Sequence, residues 1–169
     1  MKIRSASPVL FALGVGLAAA GPARAAPPAP GAFVRDFYAA YGPHGAARIG
    51  DFYAADATFT DPSFELDLQG RDQIRDLLVQ VLAKYESLDW AIAHTAPAGD
   101  DLTVEGTMVG RLHGQTVRVP FVSVFHFKDG KIAAQRDLFD VLHFYAQLGV
   151  VPAPFRPKPA PAPAPPKGG

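Results

Sequence analysis

The sequence predicts an α+β domain in which helices pack on one face of a single curved, largely antiparallel sheet. Three observations lead to this fold class. Segments with a helical spacing of apolar residues are concentrated in the first half, consecutive strand-like segments fill the second half, and His-Gly and Asp-Gly pairs separate those strands. Helices and strands that are segregated along the chain in this way are typical of α+β folds, and no βαβ alternation is present.

Three helices are predicted in the first half of the chain. In AFVRDFYAAY, Phe33, Phe37 and Tyr41 recur every four residues and give the first helix an aromatic face, which ends before Gly42-Pro43. The segment GAARIGDFYAAD predicts a second, shorter helix. The segment RDQIRDLLVQVLAKY predicts a third helix with an apolar stripe that starts at Ile74.

The strands begin between the second and third helices. There ATFT alternates as a short strand that ends at Asp61, directly before Pro62. The segments LDWAIAH, LTVEGTMVGRL and TVRVPFVSVFHF predict three more strands, and KIAAQRDLFD follows across a hairpin at Asp129-Gly130. Pro120 inside the third of these predicts a bulge or a sharp bend. A last short helix, VLHFYAQLG, ends at Gly149.

Segments of different composition flank this domain. Residues 1–25 combine a basic start, a small apolar run and an Ala-Arg-Ala cleavage site, which predicts a signal peptide and export to the periplasm or the medium. The apolar run is too short for a transmembrane helix. Residues 26–31 are interpreted as a linker, residues 32–150 as the folded domain, and residues 151–169 as a disordered Pro- and Ala-rich tail.

Composition excludes several classes of function. Residues 32–150 contain all 16 acidic residues but only 10 of the 16 Lys and Arg, so the domain has a net charge of 10 − 16 = −6. Such a domain is poorly suited to bind nucleic acid. The chain has no Cys, which excludes disulfides and thiolate chemistry. His94, His113 and His126 lack the spacing of a ligand pair, so neither a metal nor another cofactor is expected.

The segments DFYAADATFTDPSF, LQGRDQIRDLL and VPFVSVFHFKDGKIAAQRDLFD, followed by QLG, are similar to the SnoaL-like group of the nuclear transport factor 2 superfamily. The resemblance covers residues 32–150. The superfamily includes polyketide cyclases, ketosteroid isomerases and limonene-1,2-epoxide hydrolases, so the resemblance defines a fold and leaves the reaction open. It implies a cone, in which a strongly curved antiparallel sheet with a mixed edge wraps around the N-terminal helices in its concave face. A deep apolar pocket opens at one end of such a cone.

The comparison with ketosteroid isomerases places Asp61 on the position of their proton-shuttling base. Those enzymes bind the oxyanion with a Tyr of the first helix and an Asp on a later strand. By spacing, Phe37 stands at the position of that Tyr, and Ser123 or Val122 stands at the position of that Asp. The resemblance therefore implies a base without its usual oxyanion donors.

Two other branches of the superfamily make different demands. Asp137 stands on one aspartate of the epoxide hydrolases, but Glu105-Gly106-Thr107 replaces the Arg-x-Asp that completes their network. The SnoaL cyclases close a ring by aldol addition with one acid/base Asp and no metal. That lighter requirement is one that either Asp61 or Asp137 can meet.

The candidate site consists of two carboxylates and a set of mainly apolar side chains. The candidate catalytic residues are Asp61 and Asp137, and the predicted substrate-binding residues are Phe37, Tyr41, Trp90, Met108, Ser123, Phe125 and Phe139. Each has a structural alternative. Asp61 can accept N–H groups of the turn before Pro62, Asp137 can pair with Arg118 or less well Arg136, and the aromatic residues can be ordinary core. Trp90 is either a pocket lid or a dimer contact.

The sequence thus predicts an exported domain with an apolar pocket for a small hydrophobic molecule. One hypothesis is acid–base activity of the isomerase or cyclase type. A second is a non-catalytic ligand carrier or dimeric adaptor tethered by its Pro-rich tail, and a third is an epoxide hydrolase with an incomplete Asp-Arg-Asp network. A homodimer is expected because the strand over residues 116–127 is apolar on both faces.

Overall fold

The computed structural model describes residues 25–151. The expected signal peptide and the expected tail lie outside this range, apart from Ala25 and Val151. The elements of the described residues follow in the order α1 (Pro30–Ala40), a 3-10 helix (Ala46–Phe52), β1 (Tyr53–Asp61), β2 (Leu66–Gln69), α2 (Arg71–Leu82), β3 (Ser87–Ala98), β4 (Asp101–Leu112), β5 (Gln115–Lys128), β6 (Lys131–Phe139) and α3 (Val141–Gln147). None of the helices in this part of the chain is long and apolar enough to cross a membrane.

Helix α1 forms where the aromatic face was expected, but it begins at Pro30, within the expected linker. Proline suits the first helical turn because an N–H group there has no intrahelical partner. Phe33 and Phe37 are buried and their rings stack at 5.2 Å. Phe37 also meets Phe125 on the inner face of the sheet, with ring centroids 5.1 Å apart. The aromatic face of α1 therefore anchors the helix in the concave side of the sheet.

The second helix is shorter and the first strand longer than the sequence indicated. The 3-10 helix ends at Phe52, and β1 already begins at Tyr53, which pairs with Ile132. Tyr53, Ala57 and Asp61 all lie on the buried face of β1. The prediction that Tyr53 belongs to a helix was wrong, because pairing with a strand 79 residues later overrides local helical spacing. The sequence analysis also missed β2, a four-residue edge strand.

The sheet has the strand order β2-β1-β6-β5-β4-β3 and is not closed. All neighbours are antiparallel except β1 and β6, which run parallel with Thr58 beside Ala134 and Thr60 beside Arg136. This mixed sheet with helices confirms the α+β fold class and agrees with the expected cone. Because β1 and β6 are parallel neighbours, residues near the C-terminal ends of the two strands lie next to each other.

The hairpin predictions are confirmed, whereas the predicted bulge at Pro120 is not. His113-Gly114 and Asp129-Gly130 both have positive φ at both positions, as tight two-residue hairpin turns require. Pairing of β5 with β4 continues through Pro120 without a register shift. The Pro120 carbonyl accepts the Asp140 N–H at 3.3 Å, so the backbone polar groups of Pro120 face Asp140, one residue after the end of β6. Because β6 has already ended there, the N–H that proline lacks removes no hydrogen bond from the sheet.

The outer face of β5 and β6 carries apolar side chains that the described chain leaves partly open to solvent. Val122 lies opposite Leu138 across the two strands. Val124 is 37% exposed and Leu138 is 40% exposed. The expected homodimer stays a prediction, and this face is where we expect it to form.

Candidate functional site

A cavity of about 540 Å³ lies between the inner face of the sheet and helices α2 and α3. Its walls are largely aliphatic and aromatic, with Leu78 from α2, Phe59 from β1, Met108 from β4 and Phe144 from α3 among the lining residues. This volume is in the range of small-molecule binding sites. The inner face of the sheet therefore borders a largely apolar cavity, and the polar groups that reach this cavity define the candidate site.

Asp61 lines the cavity from the last position of β1 and is only 2% exposed. Its Oδ1 accepts the Ser63 N–H at 2.9 Å, so it also caps the turn that follows Pro62. Ser63 in turn accepts the Phe139 N–H at 3.1 Å and ties this turn to the end of β6. Desolvation raises the pKa of the Asp61 carboxyl group, and the Ser63 contacts offset part of that rise. The cavity reading and the turn reading both hold.

Asp137 lies deeper and is completely buried. The Gln135 side chain donates to both of its oxygens at 2.9 Å, and the Tyr41 hydroxyl donates to Oδ2 at 3.2 Å. The Tyr53 hydroxyl donates to Gln135 Oε1 at 2.5 Å, which fixes the orientation of the amide. Burial raises the pKa of Asp137 to about 6, the negative charge of Asp61 adds to the rise, and the neighbouring donors oppose it.

The strand register explains why the two aspartates influence each other. Thr60 of β1 lies beside Arg136 of β6, so one further step places Asp61 beside Asp137 on the inner face. Adjacent strands are about 4.8 Å apart. Asp61 lines the cavity and Asp137 does not, so the carboxyl group of Asp137 lies behind that of Asp61 as seen from the cavity.

Tyr41 lies between the carboxyl group of Asp137 and the cavity. Its side chain lines the cavity while its hydroxyl contacts Asp137. Trp90 holds it in place, because the two rings stack at 4.9 Å with an angle of 7° and the indole N–H donates to the Tyr41 carbonyl at 2.6 Å. Burial raises the pKa of the Tyr41 hydroxyl well above its ordinary value, so the phenol remains a proton donor at neutral pH.

Comparison with known protein families matches residues 34–135 to the SnoaL-like domain. The chain belongs to the SnoaL-like domain family. A protein from Catenulispora acidiphila with a ketosteroid isomerase-like fold, solved in complex with trimethylamine, is 25% identical, with a TM-score of 0.65 over 70% of this chain and 93% of that one.

Two further solved structures share the SnoaL-like fold. A SnoaL-like polyketide cyclase candidate from Shewanella denitrificans is 19% identical, with a TM-score of 0.66 over 73% of this chain and 99% of that one. An LEH-like epoxide hydrolase of M. tuberculosis is 21% identical, with a TM-score of 0.59 over 68% of this chain and 85% of that one. No curated protein matches the chain. These two likenesses show the fold and leave the reaction open.

The SnoaL-like cavity brings together five of the nine predicted site residues. Its lining includes Tyr41, Asp61, Trp90, Met108 and Phe139. The structure places the other four outside the lining. Phe37 and Phe125 pack against each other in the aromatic core, Ser123 is buried next to Asp137 without a hydrogen bond of good geometry, and Asp137 lies behind Tyr41.

The alternative that Asp137 pairs with an arginine is wrong. Arg118 and Arg136 are exposed on the outer face, whereas Asp137 points inward, because residues of opposite parity on a strand lie on opposite faces. Within residues 25–151 no arginine lines the cavity, which leaves the epoxide hydrolase hypothesis without its cation. Nor do His, Asp and Glu side chains of these residues form a group of three that could hold a metal.

The sequence analysis missed two residues of the buried network as members of the site. Gln135 shares the inner face of β6 with Asp137, so the alternation in AQRDLF carried this signal. Tyr53 contacts Gln135 only because β1 and β6 are neighbours, and no local pattern indicates that pairing. The contributions of α2 and α3 to the cavity were also not foreseen.

Proposed function

We propose that the cavity binds a small hydrophobic carbonyl compound and that Asp61 acts on it as an acid–base catalyst of the isomerase or cyclase type. The proposal rests on one observation, a carboxyl group that is 2% exposed in the wall of a largely apolar cavity. Desolvation raises the pKa of this group, which brings it closer to the proton affinity that a general base needs near neutral pH.

The proposed reaction starts at the carbon next to the carbonyl group. An oxygen of Asp61 takes a proton from this carbon, the C–H electron pair forms a new C=C bond, and the carbonyl oxygen becomes an enolate. In an isomerisation, the substrate carries a C=C bond between its β and γ carbons, so the enolate is a dienolate. Asp61 returns the proton to the γ carbon, and the C=C bond moves to the α,β position as the carbonyl group re-forms. In a cyclisation, the enolate carbon adds to a second carbonyl carbon of the same molecule, whose oxygen then takes the proton. Both routes balance without a co-reactant.

Tyr41 is the proposed donor to the enolate oxygen. Phe37, at the expected position of an oxyanion-binding Tyr, has no hydroxyl, but Tyr41 lies one turn later on the same face of the first helical segment. When Asp137 is protonated, its O–H can donate to the Tyr41 oxygen, and the Tyr41 hydrogen is then available to the substrate. The contact between Tyr41 and Asp137 at 3.2 Å and the raised pKa of Asp137 support this arrangement.

Exchange of the α-hydrogens of 2-tetralone in D₂O, followed by proton NMR, tests the proposal without knowledge of the natural substrate. We expect Asp61→Asn and Tyr41→Phe each to lower the protein-catalysed exchange rate by about 100-fold. Asp67→Asn is the matched control, because Asp67 is an exposed aspartate on the neighbouring strand β2 and does not line the cavity.

Trp90 fluorescence and circular dichroism establish that each variant remains folded. A folded Asp61→Asn variant with the wild-type exchange rate contradicts the proposal. So does a wild-type rate no higher than that of buffer.

One observation favours a second candidate, non-catalytic binding of a small amine. The cavity combines the Asp61 carboxylate with the stacked rings of Tyr41 and Trp90, which is a setting for cation binding. The 25% identical relative was solved in complex with trimethylamine. Titration with trimethylamine hydrochloride, monitored by Trp90 fluorescence, distinguishes this case, because Asp61→Asn then lowers affinity while no exchange activity exists to be lost.

Export of the domain is also part of the proposal. The Ala-Arg-Ala site before Ala26 supports cleavage after Ala25. Intact mass spectrometry of the protein from a native host should give the mass of residues 26–169. A chain that retains residues 1–25 contradicts export by this route.

A further inference from the structure

The residues with carboxylate, ammonium, imidazole or amide side chains that line the cavity are segregated into two ends. Asp61 and the Tyr41 hydroxyl belong to the inner end, next to Asp137. Lys84, His113 and Gln115 line the cavity at the other end, where the chain leaves α2 and where β4 turns into β5. The residues between the two ends are largely apolar.

The strand register shows how far apart the two ends are. Asp137, which lies beside Asp61, pairs with Ser123 of β5. Gln115 lies eight residues before Ser123 on the same strand. At about 3.3 Å per residue this is a contour length of about 26 Å, which the curvature of the strand shortens in space. A bound molecule can therefore contact one end without contacting the other.

The charges at the two ends have opposite sign. Among residues 25–151, Asp61 is the only acidic residue in the lining, and Lys84 and His113 are the only basic ones. Lys84 forms no ion pair within residues 25–151, and the nearby Glu86 is engaged by Arg111 at 2.7 Å and by the Gly114 N–H at 2.7 Å. Lys84 is thus available to an anion, whereas His113 already lies close enough to the Glu86 carboxylate to interact with it electrostatically.

The hairpin turn fixes the position of His113 at the rim of the cavity. His113 has φ of 50° and Gly114 has φ of 75°. Histidine, like Asn and Asp, adopts positive φ more often than most side chains do, so this backbone conformation suits it. The Gly114 N–H donates to Glu86 at 2.7 Å and ties the turn to the segment that follows α2. The imidazole of His113 is therefore held where it lines the cavity.

From these observations we infer that the ligand is amphiphilic, with an apolar body inside the cavity and a carboxylate at the rim between Lys84 and His113. The orientation follows from charge, since the carboxylate of Asp61 repels an anion at the inner end and Lys84 attracts it at the rim. Together with the proposed function, on which this part of the inference rests, the substrate class is an apolar keto acid. Its carbonyl group lies next to Asp61 and Tyr41, and its carboxylate lies at the opposite end.

Binding of decanoate and of 1-decanol to the full chain at low ionic strength tests the inference without any turnover. Trp90 is the only tryptophan and lines the cavity, so its fluorescence reports binding directly. We expect decanoate to bind about fivefold or more tightly than decanol, and added salt to reduce this preference. Lys84→Met should reduce the preference about threefold. His113→Asn should also reduce it while forming an Asn-Gly turn that the backbone favours.

A control variant sharpens the test. Lys128→Met removes an exposed lysine at the other end of β5, away from the cavity, and should leave the preference unchanged. A loss of preference in Lys128→Met as large as that in Lys84→Met shows that the preference reflects the overall charge of the domain, and it overturns the inference.

Equal binding of both probes, binding of neither, or an unaltered preference in Lys84→Met overturns it as well. If the wild type prefers decanoate but does not catalyse exchange, only the proposed catalysis is contradicted. If the wild type catalyses exchange but shows no preference for decanoate, only the ligand class is contradicted.

Discussion

Replacing Asp137 by Asn removes a titrating group from the core while keeping its shape. Asp137 is completely buried, and Gln135 and Tyr41 surround its oxygens. In the variant, the amide oxygen can still accept from Gln135 and the amide nitrogen can donate to the Tyr41 oxygen. The main change is therefore that the side chain can no longer become an anion in the core.

The sign of the effect on stability follows from the raised pKa. In the folded state the pKa of Asp137 is about 6, against its ordinary 3.8, so the folded state holds this proton more tightly than the unfolded chain. The contribution of Asp137 to the free energy of unfolding is fully present below pH 3.8 and is lost as the pH rises towards 6 and above. At 1.36 kcal/mol for each pH unit, the loss amounts to roughly 3 kcal/mol.

Urea denaturation of the wild type and of Asp137→Asn between pH 4 and pH 8 measures this loss. The free energy of unfolding of the variant minus that of the wild type should rise by roughly 2 kcal/mol across this range, because part of the contribution is already lost at pH 4, just above the ordinary pKa of 3.8. An altered hydrogen bond adds a constant offset of about 1 kcal/mol that does not depend on pH. Asp67→Asn, at an exposed site on β2, should show no comparable change. A difference for Asp137→Asn that is the same at pH 4 and pH 8 refutes the reasoning.

Three further outcomes are expected. Catalysed exchange of 2-tetralone should follow a bell-shaped pH profile. The rate should rise above pH 3.8 as Asp61 ionises, and it should fall near pH 6 as Asp137 loses the proton that lets it donate to Tyr41. A rate that still rises at pH 8 contradicts this assignment. Gly106→Ala should lower the free energy of unfolding by about 1–3 kcal/mol in a urea titration, because a Cβ there would lie 2.5 Å from the Ala91 carbonyl oxygen. Gly31→Ala is the control and should not lower it, because nothing lies within 4 Å of a Cβ at that position. Sedimentation equilibrium at micromolar concentration should report twice the monomer mass, and Leu138→Lys on the outer face should shift it to the monomer; a wild-type monomer at all concentrations contradicts the dimer.

Local patterns were sufficient for most of the fold. The four-residue recurrence of Phe33 and Phe37 located α1, and the His-Gly and Asp-Gly pairs located both hairpin turns. Patterns failed where contacts distant in sequence decide the structure. Tyr53 has a helical neighbourhood but pairs with Ile132, and β2 is too short to carry a recognisable alternation.

The site divides in the same way. Asp61 before Pro62 and Asp137 in the alternation of β6 could be identified from the sequence together with the family resemblance. The sequence could not show that Asp61 lines the cavity while Asp137 lies behind it, because this depends on which aromatic side chain of the first helical segment covers Asp137. The four-residue spacing places Phe37 and Tyr41 on one face, but only the packing of that face shows Phe37 in the core and Tyr41 at the cavity.

The parallel pairing of β1 with β6 has a consequence for the order in which the domain folds. Thr58 and Ala134, which are neighbours across this pair, are 76 residues apart along the chain. Contacts of such long sequence separation form late, because the entropy of closing the intervening loop must be overcome first. The β3–β5 meander has only local pairings and can form before β6 is available. Asp61 and Asp137 come together only when β6 pairs with β1, so the proposed exchange activity should appear during refolding only with this last step of assembly.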